Sequence, residues 1–397
     1  MNLHVWLLAL CQALLNTGNV LLVSVNGLIG LQLAPSGKWV TLPVAFQFIG
    51  LMLATIPASL IMQRIGRRNG FLLGNFIGFS GALLCLAALQ SSSFVLFCTG
   101  TALLGVGIGF GMLYRFAAVE VCNKGYESRA ISMVMVGGII AAVLGPNLAV
   151  YSRGVELGAE FSGAFAVLAG LYLLALLLLT RIRIPPLLQE GESQDEVRPL
   201  KVILLQPRFL LAVIAGMSSY AVMNLLMTAT PLAMDRCGYL FSSTANVIQW
   251  HVLGMYLPSF FTGHLIRRVG EVRLMFAGAL IMLVCIGINL QGISEWHFWS
   301  ALFLLGIGWN WMFISATAFL TKAYRPAEKA RTQAANEFLV FGTVTCSALA
   351  AGWLESSVGW QAMNALMIPV VSFTLLAILL LEPLRRQQES LQPAGVS

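Results

Sequence analysis

Charged residues are scarce in this chain: aspartate, glutamate, lysine and arginine together make up only 10% of its 397 residues. Water-soluble domains carry roughly 25% charged residues, so the composition excludes an ordinary soluble domain. Hydrophobic residues instead make up 58%, and the mean hydropathy is +0.84. We therefore expect an all-α membrane protein with nearly all of its chain inside the bilayer.

Paired cysteines and catalytic constellations are also missing. The seven cysteines are scattered, mostly inside apolar runs, and none forms a C-x-x-C pair. A disulfide framework and a zinc site are therefore not expected. No nucleophile–base pair or catalytic metal cluster stands out, so an enzyme is not expected. The first apolar segment begins at Leu3 and runs too long, without a small-residue cleavage site, for a removable signal peptide.

Apolar segments long enough to cross a bilayer are what the chain has in abundance. A spanning helix needs about 20 mostly apolar residues, and twelve segments reach that length. They lie near residues 4–33, 39–63, 70–90, 94–118, 130–151, 161–180, 209–232, 243–265, 273–293, 296–321, 332–353 and 360–381. We expect a six-helix bundle at 1–180, a cytoplasmic linker at 181–208, a second six-helix bundle at 209–382 and a cytoplasmic tail at 383–397.

Basic residues explain the net charge of +7 and predict the orientation. They stand at the ends of the apolar segments, which fits membrane topology, so no nucleic-acid partner is expected. With the N-terminus in the cytoplasm, nineteen of the 23 basic residues fall in cytoplasmic connections or the tail. Lys38, Arg153 and Arg236 lie outside, and Arg115 falls within or at the end of the fourth helix. Both termini are therefore expected in the cytoplasm.

The two blocks of six segments repeat each other. Residues 59–68 (SLIMQRIGRR) match 263–272 (GHLIRRVGEV) at an offset of 204, and 103–107 (LLGVG) match 304–308 (LLGIG) at an offset of 201. Arg129 and Arg331 correspond at an offset of 202. A parallel duplication of six-helix halves is the architecture of the major facilitator fold, in which the substrate site lies near the midplane between the halves.

Residues 59–68 resemble the loop motif G-x-L-a-D-R-x-G-R-R of the major facilitator superfamily. The chain keeps the motif's last glycine and its arginines but has Ser59 for the first glycine and Gln63 for the aspartate. The resemblance implies a secondary transporter with twelve transmembrane helices in two six-helix repeats. The missing aspartate removes a charge link that usually steadies the outward-open state in that family.

Four soft metal-ligand side chains lie on two neighbouring segments. Met223 and Met227 belong to the seventh segment, and His251 and Met255 to the eighth. Residues four apart share a helix face, and both pairs are expected roughly 12 Å below the outer ends of their helices. Thioether sulfur is uncharged and suits Cu(I). In a chain of this composition, chance alone is expected to give roughly 0.6 Met–Met pairs at a spacing of four residues, but only roughly 0.15 His–Met pairs. Simple packing is the alternative interpretation of the Met pair.

The two pairs resemble the signature of CcoA-type copper importers within that superfamily, M-x-x-x-M in the seventh helix and H-x-x-x-M in the eighth. The resemblance extends over the whole chain. It implies uptake of copper across the bacterial cytoplasmic (inner) membrane for biogenesis of a haem–copper oxidase, with Met223, Met227, His251 and Met255 as transient ligands. Copper is then the transported substrate and no cofactor is permanently bound. The lipid bilayer is the other partner, and a monomer is expected.

Other substrates stay open. Related members that move riboflavin lack the Met/His pairs, so the presence of the pairs favours copper. Import of riboflavin or another small aromatic metabolite is the alternative. The residues Trp309, Asn310 and Trp311 are expected to line the cavity, and they suit a riboflavin importer as well as a copper importer. A non-transporting metal sensor of the same fold is a third hypothesis. Proton-coupled drug antiport is a minor one, because Gly145-Pro146 resembles the antiporter motif but Ala141 replaces its first glycine.

Three further residues are candidates for coupling or relay. Glu337 is interpreted either as a proton carrier or as a structural partner of Arg115 or Arg331. Arg115 binds an anionic substrate in one interpretation and is structural in the other. Cys237 follows the seventh helix near the outer surface and is either a thiol relay for incoming copper or an inert free thiol.

Overall fold

The structure is a computed structural model that describes residues 3–123, 127–153, 155, 158–184 and 198–391. The predicted linker at 181–208 is therefore described only in part, because residues 185–197 lie outside the described ranges. The same holds for the predicted tail at 383–397, of which residues 392–397 lie outside. The boundaries predicted for the two bundles remain predictions.

All regular secondary structure in the described residues is helical. The α-helices are α1 (Leu3–Leu33), α2 (Leu42–Ile65), α3 (Arg67–Gln90), α4 (Phe94–Gly111), α5 (Tyr114–Val121), α6 (Glu127–Arg153), α7 (Ser162–Thr180), α8 (Leu200–Leu204), α9 (Pro207–Arg236), α10 (Phe241–Tyr256), α11 (Ser259–Val269), α12 (Glu271–Gln291), α13 (Glu295–Leu320) and α14 (Lys329–Leu391). Short 3₁₀ helices cover Gly37–Trp39 and Pro326–Glu328.

These helices form twelve membrane crossings, which confirms the predicted number. Helices α4 and α5 form one crossing, and so do α10 and α11, which are separated at Pro258 because proline lacks the N–H that would continue the helical bonding. Helix α14 contains two crossings, because Gly359 (φ +80°, ψ 173°) interrupts its helical backbone. By length and composition, ten segments of the described chain qualify as spans. The number is ten because residues 331–383, which hold two crossings, form one of these segments, and because the interrupted crossing 241–269 is not among them.

The backbone repeats between the halves as the sequence predicts. Gly66 (φ +83°, ψ 154°) and Gly270 (φ +87°, ψ 155°) are 204 residues apart, and each stands before the third crossing of its half. Such a backbone is open to glycine and strained for other residues. A Cβ on Gly105 would lie 1.9 Å from the carbonyl oxygen of Gln47, and a Cβ on Gly306 2.4 Å from that of His251. The second and fourth crossings thus meet backbone to backbone in both halves.

An ion pair anchors the start of α3 at its predicted cytoplasmic end. Arg67 donates from Nε to both carboxylate oxygens of Glu120, at 3.0 and 2.9 Å. The superfamily's loop motif therefore keeps a charged partner at the end of α5, within its own half, although Gln63 replaces the aspartate.

A second ion pair ties the end of the linker to the connection between α13 and α14. The side chain of Glu328 is fully buried (0% exposed), and that of Arg198 is 30% exposed. The carboxylate accepts hydrogen bonds from Nε (2.7 Å) and Nη2 (2.6 Å) of Arg198 and from the backbone N–H of Arg325 (2.9 Å). The bonds from Arg198 lower the pKa of Glu328 from 4.5 to about 2, against the opposing effect of burial.

This depressed pKa predicts acid sensitivity. The stabilisation from Glu328 is complete above its ordinary pKa of 4.5 and is lost as the pH falls towards 2, which corresponds to about 3 kcal/mol. Thermal unfolding in detergent, followed at pH 7 and pH 3, checks this. We expect Glu328→Gln to be less stable than the parent at pH 7 and to lose less stability on acidification. Equal losses in both proteins would contradict the assignment.

Candidate functional site

The two halves close on each other at the ends predicted to face outside. The backbone N–H of Gly352 donates to Thr41 Oγ1 at 3.1 Å. Asn147 donates to Gln249 Oε1 at 2.9 Å. The Arg153 guanidinium of the first half lies 5.3 Å from the ring centroid of Phe241 in the second half. The protein is therefore closed at this end.

The predicted metal ligands lie on the helices where the sequence puts them. Met223 and Met227 are one turn apart on α9, and His251 and Met255 are one turn apart on α10. All four side chains are buried, with exposed fractions of 8% or less. The three methionines belong to the apolar core of the second half.

His251 is held by α13. Its Nδ1 lies 2.7 Å from the carbonyl oxygen of Leu302, and because a carbonyl only accepts, Nδ1 carries the proton. Nε2 is buried and has no hydrogen-bond partner in the described structure. This is the tautomer in which an imidazole binds a metal, with one nitrogen anchored on a carbonyl and the other free. The described polar contact of His251 is thus with α13, while the methionine pair lies on α9.

The structure also brings together four rings that the sequence does not group. Tyr220 of α9 lies 5.3 Å from Trp309, 5.0 Å from Phe313 and 6.0 Å from Phe341, measured between ring centroids. Trp309 and Phe313, both on α13, stack at 5.2 Å. Trp309 Nε1 is buried and has no partner in the described structure. We call Tyr220, Trp309, Phe313 and Phe341 the aromatic cluster.

Asn310, which the sequence places with Trp309 in the cavity, has a packing role instead. Its Nδ2 donates to the Met255 carbonyl and to Ser259 Oγ, both at 2.6 Å, and its Oδ1 accepts from Thr262 at 2.6 Å. These bonds tie α13 to α10 and α11. Of this stretch, Trp309 is the residue that joins the aromatic cluster.

One charged residue from each half acts electrostatically on Tyr220 of the aromatic cluster. Arg115, on α5, is exposed, and its guanidinium lies 4.9 Å from the ring centroid of Phe116. Arg115 and Glu337 are both close enough to Tyr220 to interact electrostatically with its hydroxyl. Glu337, on α14, also lines a cavity of about 30 Å³ with side chains of α2. The position suits a coupling role or a structural one, so both interpretations of Arg115 and Glu337 remain.

Cys237 gains no support as a copper relay. It is an exposed free thiol that caps the end of α9. Partial burial and the nearby Glu355 raise the pKa of its thiol. The thiolate, which is the form that binds copper, is therefore disfavoured, and the relay stays an untested prediction.

Comparison with known proteins decides the family. The family model "Major Facilitator Superfamily" matches residues 6–336 and 241–396. The chain belongs to the Major Facilitator Superfamily. Its multi-pass membrane location follows from this family and its fold, while the cytoplasmic placement of its termini stays a prediction.

One relative is similar to the chain over nearly its full length. The chain is 41% identical to "Riboflavin transporter RfnT" of Brucella anthropi over 378 residues, which cover 95% of each protein. This finding favours the riboflavin alternative over copper import, which the sequence motifs favoured. Supply of copper to an oxidase likewise gains no support from this relative.

Solved structures of the superfamily share the fold. The transporter FucP in the outward conformation superposes with a TM-score of 0.63 at 16% identity, covering 95% of this chain and 98% of that one. The human organic anion transporter MFSD10 (TETRAN) superposes with a TM-score of 0.67 at 15% identity, covering 94% and 98%. At these identities the likeness establishes the fold alone.

Proposed function

We propose that this transporter imports riboflavin or another small planar aromatic metabolite across the bacterial cytoplasmic membrane. The aromatic cluster is the observation that carries the proposal. Tyr220 is close to the midpoint of α9, and Trp309 is close to the midpoint of α13. Substrates of this fold bind near the bilayer midplane between the halves, which is the depth of these two rings.

The chemistry of the aromatic cluster suits a flat heteroaromatic solute. Aromatic side chains stack on planar rings whatever their substituents, at roughly 1–3 kcal/mol per stacked ring. The buried Trp309 N–H has no partner, and an unpaired buried donor costs roughly 1–3 kcal/mol. A solute that supplies an acceptor there would recover that cost. The similarity to the riboflavin transporter of Brucella anthropi supports the same substrate class.

Copper import is the second candidate, and His251 favours it. The buried Nε2 has no hydrogen-bond partner, and Nδ1 is anchored on the Leu302 carbonyl. A neutral imidazole and thioethers from Met223, Met227 and Met255 form a soft, uncharged ligand set for a cuprous ion as cargo. Copper import is the second candidate because the relative that is 41% identical to this chain is named as a riboflavin transporter.

One uptake experiment separates the two candidates. Cells expressing the chain are given labelled riboflavin and, separately, radioactive copper. We expect riboflavin to accumulate and Trp309→Leu to lower its uptake about tenfold, because one stacking surface is lost. Trp353→Leu is the matched control, since Trp353 lies on α14 with 47% of its surface exposed, and it should leave uptake unchanged.

The copper arm uses His251→Leu. Accumulation of copper without riboflavin, abolished by His251→Leu, would replace the riboflavin proposal by the copper one. Uptake of riboflavin that Trp309→Leu and Trp353→Leu lower equally would remove the aromatic cluster from the site. All variants are compared at equal amounts of protein in the membrane fraction.

A further inference from the structure

Helix α1 carries a stripe of carboxamide side chains along one face. Gln12, Asn16, Asn19 and Asn26 are spaced by four, three and seven residues, which keeps them on the same side of a helix. Val23 lies on that side too, and it packs against the apolar core of the second half. The stripe therefore faces the boundary between the two halves.

Hydrogen bonds join these side chains to one another and to α2. Asn26 donates to Gln47 Oε1 at 3.1 Å, and Gln47 donates to Asn19 Oδ1 at 2.8 Å. Gln12 donates to Asn16 Oδ1 at 2.9 Å. We call Gln12, Asn16, Asn19, Asn26 and Gln47 the carboxamide wall.

The carboxamide wall keeps hydrogen-bonding groups unpaired. Asn26 is fully buried (0% exposed), yet its Oδ1 has no partner in the described structure. The side-chain amide nitrogens of Asn16 and Asn19 likewise have no partner among the described contacts. A buried polar group without a partner costs roughly 1–3 kcal/mol, which applies to the enclosed Oδ1 of Asn26. The half-buried amide nitrogens of Asn16 and Asn19 are donors that a bound molecule can reach, so the wall has accessible donors with an unpaired acceptor behind them.

The unpaired amides do not suit the lipid side. Asn16 and Asn19 are half-buried in the middle of a membrane-spanning helix. Lipid offers no hydrogen bonds, so amides that faced it would remain unsatisfied at a high cost. Their exposed part therefore fits the space between the halves, where water or solute can reach it.

Internal symmetry places the carboxamide wall opposite the aromatic cluster. At the offset of 204 that relates Gly66 to Gly270, Asn16 corresponds to Tyr220 and Asn19 to Met223. Equivalent positions in the two halves lie around the same pseudo-twofold axis, where these folds bind their substrates. One half thus presents amides where the other half presents a ring.

We propose that the carboxamide wall recognises the imide edge of a planar solute, an N–H flanked by two carbonyl groups, while the aromatic cluster stacks on the ring. This inference rests on the proposed function and specifies how the solute is selected. An imide edge offers two acceptors around one donor. Carboxamides supply both kinds of partner, and the flavin ring ends in such an edge.

Competition for uptake tests the proposal. Labelled riboflavin is offered with unlabelled riboflavin or with N3-methylriboflavin, in which a methyl group replaces the imide proton. We expect the parent to prefer riboflavin at least tenfold, because the methylated edge leaves wall groups unpaired. In Asn19→Leu and in Gln47→Met, which keeps the length of the side chain, KM for riboflavin should rise about tenfold and the preference should disappear.

Asn289→Leu is the matched control. Asn289 donates to Asn364 at 2.7 Å, a buried carboxamide pair between α12 and α14 inside the second half. This variant should keep the parent's preference. If both wall variants take up riboflavin and still prefer it to N3-methylriboflavin as the parent does, the carboxamide wall does not recognise the imide edge. The proposed function would then still stand. A parent that carries no riboflavin would overturn both.

Discussion

Gly105→Ala is expected to destroy the folded transporter, whereas Gly287→Ala leaves it intact. A Cβ on Gly105 would lie 1.9 Å from the carbonyl oxygen of Gln47, 2.8 Å from its carbonyl carbon and 3.0 Å from the backbone nitrogen of Leu51. All three atoms are backbone, so no side chain can turn aside to relieve the clash. Overpacking a core typically costs about 1–3 kcal/mol, and forcing α4 away from α2 belongs at or above that range.

Size-exclusion chromatography after detergent extraction, followed by thermal unfolding, measures this effect. Gly306→Ala repeats the test in the second half, where the added Cβ would lie 2.4 Å from the His251 carbonyl oxygen. Gly287 on α12 and Gly342 on α14 have no atom within 4 Å of the added Cβ. If Gly105→Ala had the same yield and the same unfolding midpoint as Gly287→Ala, this result would contradict the close packing of α4 against α2.

The number and limits of the crossings could be predicted from hydropathy, because the bilayer imposes one apolar length on every span. The sixth segment, predicted at 161–180, is α7 at Ser162–Thr180. The interruptions inside the fourth and the eighth crossing were not predicted. Pro258 gives a local signal for the break between α10 and α11, whereas the break between α4 and α5 has no comparable proline. Gly359, by contrast, separates two crossings that the sequence predicts as separate segments, at 332–353 and 360–381.

The candidate site was predictable only where its residues share a helix. The spacing of Met223 and Met227 follows from the helical period, and so does that of His251 and Met255. The aromatic cluster draws Tyr220, Trp309 and Phe341 from three helices far apart in sequence. With 23 phenylalanines, nine tryptophans and eight tyrosines in the chain, no local pattern singles out those that meet.

The repeat offset carries a signal for the proposed site that local motifs lack. It aligns the polar Asn16 with Tyr220 and Gln47 with His251, pairs of side chains that apolar packing alone does not require. The four predicted metal ligands, by contrast, form two short motifs that a buried methionine core also satisfies. Equivalent positions of the two halves therefore point to the boundary between the halves more directly than the Met and His pairs do.

A disulfide between Gly37→Cys and Ser356→Cys should abolish transport until it is reduced. A Cβ on Gly37 would lie 3.5 Å from Ser356 Cβ, within the range of 3.5–4.5 Å that a disulfide spans. The two positions belong to opposite halves at the end predicted to face outside, and alternating access requires that end to open. Uptake of labelled riboflavin should fall to the level of cells without the transporter under oxidation and recover with dithiothreitol.

The background for this test replaces the exposed Cys237 and Cys346 by serine, so that the engineered pair forms the bridge. Each single cysteine variant serves as a control and should transport equally with and without the reductant. Formation of the bridge is followed by the loss of free thiol. A protein that is fully bridged and still transports would mean that solute enters without separation of Gly37 from Ser356. The entry path would then have to lie away from the contact of Thr41 with Gly352, because that contact lies beside the bridge.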